Sequence, residues 1–192
     1  MKAQRLEAFT DGVLAIVITI TVLEMKVPAA ATPVALAAAA PVLLAYALSF
    51  VNAGIFWANH HHMMQAARHI SGRVLWANLS LLFWLSLVPF VIRWIDEQGL
   101  VPLPVAAYGF ILFMSAVSYS LTERAIIAGE GGGSLLKEAL GRDLKGWLSI
   151  LLYLAGAGLA FVLPAAAIAL YLAVSAMWLV PDSRIERRMT VP

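Results

Sequence analysis

Apolar stretches long enough to cross a membrane follow one another along almost the whole chain, at roughly residues 6–27, 34–59, 73–95, 103–128, 144–162 and 165–181. A hydrocarbon core about 30 Å thick takes about 20 apolar residues as an α-helix. With no water there to satisfy the backbone, each crossing segment must pair its own N–H and C=O groups, as a helix does. The pattern therefore predicts an all-α integral membrane protein with six transmembrane helices. The last two stretches are almost fused, because no charged residue occurs between Trp147 and Val180. Proline suits the first turn of a helix and not its interior, so Pro164 is the expected break. With 62% hydrophobic and 12% charged residues, the chain lies far from the composition of a soluble domain. Six spans in 192 residues leave short connections, and residues 1–192 read as a single membrane domain.

Orientation follows from the 13 Lys and Arg residues. With the N-terminus inside, Lys2, Arg5, Arg68, Arg73, Arg124, Lys137, Arg142, Lys145, Arg184, Arg187 and Arg188 are cytoplasmic, and only Lys26 and Arg93 lie outside. That asymmetry predicts a multi-pass protein of the cell membrane with both termini cytoplasmic. The longest connection, Gly129 to Lys145, reads as a cytoplasmic loop with an amphipathic turn over Leu135 to Leu140. A cleaved signal peptide over the first segment is disfavoured, because Glu7 and Asp11 do not suit a positively charged leader. The net charge of +2 is spread over loops, which argues against nucleic acid as a partner. The absence of cysteine excludes disulfides and thiolate chemistry.

Asp11 is the polar residue that most needs explaining. It lies about one and a half turns beyond Arg5, below the headgroup level, where a carboxylate is costly unless it is paired. Trp57 and His60 near the end of the second span and Asn78 near the start of the third are expected at the same depth, so an Asp–Trp–His–Asn network is predicted to join the first three spans. Asp11 is read as structural support. His60, His61 and His62 do not suggest a metal site, because neighbours on a helix point about 100° apart. They are expected at the headgroup level beside Trp57, and no cofactor is implied. Along the first helix Ile16, Thr19, Ile20 and Leu23 recur at helical spacing on one face. Such a stripe can face lipid, a neighbouring helix or a pore.

The residues Arg5-x-x-x-Phe9-Thr10-Asp11 resemble the Arg-x-x-x-Phe-Ser-Asp signature of the transmembrane protein 175 family, which includes potassium channels of endosomes and lysosomes and shorter bacterial homologues. Phe56-Trp57-x-x-His60, then Asn78 and Leu85-Ser86-Leu87-Val88-Pro89-Phe90, are similar to its next two blocks in the same order. The likeness covers residues 5–90, with Thr10 where serine is usual. It implies six helices per subunit, a homotetramer in single-repeat members, and first helices lining a central potassium-permeable pore, so that potassium ions, membrane lipid and copies of the chain are the expected partners. It also implies that Ile16, Thr19 and Leu23 face the pore. The filter Thr-Val-Gly-Tyr-Gly of ordinary potassium channels is absent, so discrimination is expected from stacked side-chain rings, with hydrophobic constrictions that exclude water.

Two other classes fit less well. A secondary transporter of a small cation or solute would place ionisable residues or broken helices at the midplane, and the middle of every span here is uncharged. An enzyme would need a nucleophile–base pair, paired carboxylates or metal spacing, none of which the sequence shows. Gly156 and Gly158 are read as points of close helix contact.

Overall fold

The computed structural model describes residues 2–131, 134–140 and 143–179, so Arg142, Arg184, Arg187 and Arg188 of the charge count lie outside the described residues. Nine helices are described: α1 (Ala3–Leu23), α2 (Pro33–Ala38), α3 (Ala40–Ala66), α4 (Gly72–Ser86), α5 (Val88–Gln98), α6 (Pro102–Glu130), α7 (Leu135–Leu140), α8 (Leu144–Leu159) and α9 (Pro164–Leu179).

Local chemistry sets most of the boundaries. Thr32 caps α2 by accepting a hydrogen bond from the Ala35 amide at 3.2 Å, with Pro33 in the first helical turn. Pro41 has no N–H to continue the ladder, and the chain steps from α2 into α3 at Ala39. Pro89 has the same effect at Leu87, where the third apolar stretch divides into α4 and α5. Asp143 caps α8 by accepting from the Gly146 amide at 2.9 Å. Pro164 opens α9, where the sequence placed the break.

Four segments are long and apolar enough to cross a membrane: α1, α3, the α4–α5 pair as Gly72–Gln98, and α6. The helices α8 and α9 are apolar but only 16 residues each, which at about 1.5 Å per residue is about 24 Å. The expected fifth span ran to residue 162, whereas α8 ends at Leu159. The second span was expected to end near residue 59, yet α3 runs on to Ala66 and carries all three consecutive histidines within the helix. Charge and polarity do not themselves end a helix, and no proline or glycine stands between Trp57 and Ala66.

The largest buried cluster joins α3, α5, α6, α8 and α9 around Tyr108, Tyr153 and Tyr171. Gly109 and Gly156 make room for the Tyr171 ring, since a Cβ at either would run into it. Gly158 differs from the sequence reading: nothing approaches its Cβ position, so it makes no close helix contact. At the end of the bundle where α1 begins, Leu6, Met63, Met64, Val74 and Ile126 form a second cluster that also buries Leu136 of α7. The amphipathic run Leu135–Leu140 is thus a short helix seated on the ends of α3 and α6. Gly132 and Gly133 of that connection lie outside the described residues.

Candidate functional site

The first helix has two faces. Leu6, Thr10, Leu14, Val17 and Thr21 are buried against α3, α4 and α5. Arg5, Phe9, Gly12, Ile16, Thr19, Ile20 and Leu23 lie on the exposed side, with Ile16 at 59% and Leu23 at 75% exposure. Arg5, Phe9, Gly12, Ile16, Thr19 and Leu23 are spaced alternately by four and three and form one seam along the helix, with Ile20 beside it one turn beyond Ile16. Thr19 turns its hydroxyl back onto the Ala15 carbonyl at 2.8 Å.

Three polar contacts fasten the buried and flanking sides of α1 to its neighbours. The first is buried throughout: Asn78 donates through Nδ2 to Thr10 Oγ1 at 2.9 Å, and its Oδ1 lies 2.9 Å from His60 Nε2. Thr10, Asn78 and His60 are each 1% exposed or less. Because the amide nitrogen of Asn78 is committed to Thr10, its oxygen must accept, which assigns the ring proton of His60 to Nε2. In the second contact Trp57 Nε1 donates to Asp11 Oδ1 at 2.9 Å. The third pairs His61 Nδ1 with Glu7 Oε1, and Gln65 Nε2 lies 2.7 Å from His61 Nε2.

The last two contacts form a ladder. Glu7 and Asp11 are four residues apart on α1, as are Trp57 and His61 on α3, and the two helices run antiparallel, so the spacings match rung for rung. The sequence reading brought Asp11, Trp57, His60 and Asn78 together in one network. The structure splits the hydrogen bonds in two: among the described residues Asp11 accepts from Trp57, while Asn78 joins Thr10 to His60, with Asp11 still an electrostatic neighbour of His60. His60 is buried in the helix interface, and α3 continues past it. The three histidine rings diverge, His60 to Asn78 and His61 to Glu7, with His62 edge-on to His61. Glu7 and Gln65 were missed, although their four-residue spacing from Asp11 and His61 was available.

The far end of α1 is fastened by charge. Arg93 of α5 pairs with Glu24 at 2.9 Å and Glu97 at 3.2 Å, Lys26 pairs with Glu97 at 3.7 Å, and the Lys26 amide donates to Asp96 at 3.2 Å. The two basic residues that the sequence set apart from the rest, Lys26 and Arg93, are therefore both engaged with α5 carboxylates. Fixed at both ends and along one side, α1 leaves the seam of Ile16, Thr19, Ile20 and Leu23 without cover from its own subunit.

Comparison with known proteins bears on this arrangement. A model of the family described as "Endosomal/lysosomal potassium channel TMEM175" matches residues 5–89, the segment that holds the seam and all three contacts. A potassium channel of Chryseobacterium sp. is 48% identical over 189 residues, 98% of each chain. One from Streptomyces collinus is 32% identical over 126 residues, 62% of this chain and 61% of its own. The crystal structure of a TMEM175 homologue from Chamaesiphon minutus has the same fold, with a TM-score of 0.81 at 23% identity, covering 94% of this chain and 97% of that one. The chain is a multi-pass membrane protein and belongs to the TMEM175 family, a family of ion channels and not of enzymes.

Proposed function

We propose that the chain is one subunit of a potassium-permeable cation channel, in which the exposed seam of α1 lines a central pore. The observation that carries this is the division of α1: one face is buried and hydrogen-bonded within the subunit, and the other presents Ile16, Thr19, Ile20 and Leu23 outward. Repetition about a symmetry axis turns each of those residues into a ring. Ile16 gives the narrowest ring, a branched apolar neck that resists wetting, and Thr19 supplies hydroxyls on the next turn. The curated relatives are named as potassium channels, which supports potassium as the permeating ion. One helix cannot enclose a path, so the working unit is a homo-oligomer, four subunits by analogy with the family. In this reading α1, α3, the α4–α5 pair, α6, α8 and α9 are six spans, and the N-terminal end of the bundle is cytoplasmic in the cell membrane. Asp11 supports α1 from its flank and does not touch the ion.

The test is current across liposomes holding the purified chain, with potassium and sodium on opposite sides. A channel passes current with no coupled solute, and the reversal potential shifts toward that of potassium. Native mass of the detergent-solubilised particle should give four subunits. Saturating flux that needs a second solute, or a monomer that conducts, overturns the reading.

A further inference from the structure

Away from α1, at the end of the bundle where α1 begins, α3, α6, α8 and α9 line a half-open cavity of about 40 Å³. No residue of α1 lines it. Four aromatic side chains wall it: Phe56 of α3, Tyr119 of α6, Tyr153 of α8 and Trp178 of α9. Among the described residues its one charged lining group is Asp143. The Oδ1 of Asp143 takes the Gly146 amide, and among the described residues no donor bonds to the second oxygen. On the turn of α6 that follows Tyr119, Glu123 is 7% exposed and has no hydrogen-bond partner among the described residues. Its electrostatic neighbours are Asp143 and Arg124.

Among the described residues, the nearby cations do not line the space. Arg124 lies over the Trp147 ring, 5.1 Å from its centroid, and the Lys145 ammonium lies 5.6 Å from the centroid of Trp178. Neither lines the cavity, yet the second contact shows that the Trp178 wall already holds an ammonium on one of its faces. We infer that the cavity binds the head of an alkylammonium ion. Aromatic faces carry negative quadrupole charge and attract cations at close range. The Asp143 carboxylate supplies the counter-charge, and the side chains of Asn59 and Ser120 offer oxygens for N–H donors. Size narrows the class. A water needs about 10–15 Å³ of such space, so about 40 Å³ takes a group the size of about three waters, such as a methylene with its ammonium. The alkyl chain of the ligand trails out over the apolar rim. A phosphate or carboxylate would meet the Asp143 carboxylate and is disfavoured by like charge.

The inference does not depend on how α1 is used. The full chain in lipid nanodiscs is titrated with n-butylammonium chloride, and binding is read by saturation-transfer nuclear magnetic resonance. Saturable binding is expected, with n-butanol, the neutral probe of the same shape, at least tenfold weaker. Asp143→Asn keeps the α8 cap, since Asn caps as well as Asp, and should weaken the ammonium at least tenfold. Ile16→Asn, on the exposed seam of α1, should leave the affinity unchanged. Equal affinity for butanol and butylammonium overturns the proposal, and so does undiminished binding in Asp143→Asn. Binding lost in Ile16→Asn and kept in Asp143→Asn also overturns it, because the ammonium then sits on α1. If Asp143→Asn does not fold, the butanol comparison on the unsubstituted chain still decides.

Discussion

Asn78 is the residue whose loss should most loosen the first helix. It is fully buried and makes two bonds of 2.9 Å, one to Thr10 of α1 and one to His60 of α3, so Asn78→Ala leaves a hydroxyl and a ring N–H without partners between three helices. An unsatisfied buried group costs about 1–3 kcal/mol in soluble proteins. Interhelical hydrogen bonds in membranes average about 0.6 kcal/mol and reach about 1.7, because the unfolded helices find other partners in lipid. Two such bonds place the cost of Asn78→Ala at about 1–3 kcal/mol. Thr10→Val keeps the shape and removes one bond, so it should cost about half as much. A double-mutant cycle on Thr10 and Asn78 should return a coupling energy of about 0.6–1.7 kcal/mol, read from unfolding of the reconstituted chain against sodium dodecyl sulfate. Well-separated sites add to within about 0.3–0.5 kcal/mol. A coupling inside that margin, or Thr10→Val costing as much as Asn78→Ala, would refute the bridging role of Asn78.

Three further outcomes follow from the geometry. Ile16→Asn should wet the proposed neck, raising basal current and weakening discrimination between potassium and sodium, whereas Val17→Asn buries an amide at a site only 6% exposed and should reduce folded yield without that gain; paired liposome currents decide, and equal behaviour of the two would refute the seam. Asp11→Asn keeps an Oδ1 acceptor for Trp57 and should assemble better than Asp11→Ala, whose loss at this half-exposed contact is about 0.5–1.5 kcal/mol, measured as oligomer yield in detergent. Gly109→Ala drives a methyl into the Tyr171 ring and should cost about 1–3 kcal/mol, while Gly158→Ala meets nothing within 4 Å and should be neutral or slightly stabilising in a thermal melt.

Much of the helix order could be read from hydropathy, because a bilayer allows the backbone few alternatives. Prolines carried finer detail, and an overlooked one left a break unread inside a span that still counts as one crossing. Pro164 was used and marks the start of α9; Pro89 carried the same information and marks the break at Leu87. The second span was read as stopping short of the histidines, whereas α3 runs on through them, with His60 bonded to Asn78 and His61 to Glu7. Polar pairing between helices has no local sequence signal. It needs two spacings to match in antiparallel register, as Glu7 and Asp11 match His61 and Trp57.

Without the family resemblance, the choice of face on α1 was beyond reach for a different reason. In water a helix declares its buried side by polarity. Here the buried row of Leu6, Thr10, Leu14, Val17 and Thr21 and the exposed row of Phe9, Ile16, Thr19, Ile20 and Leu23 have much the same chemistry, apolar residues interrupted by threonine. A lipid tail and a protein interior are equally apolar, so no hydrophobic force sorts them. Hydrogen bonding sorts Thr10 but not Thr21, which is buried and yet returns its hydroxyl to Val17 of its own helix. Thr10 has Asn78 as its partner across the interface, whereas Thr19 returns its hydroxyl to its own helix at Ala15. A threonine committed to another helix fixes its face inward. One satisfied by its own backbone can stand on a face that no other helix of the subunit covers, and it keeps an oxygen lone pair for whatever arrives there.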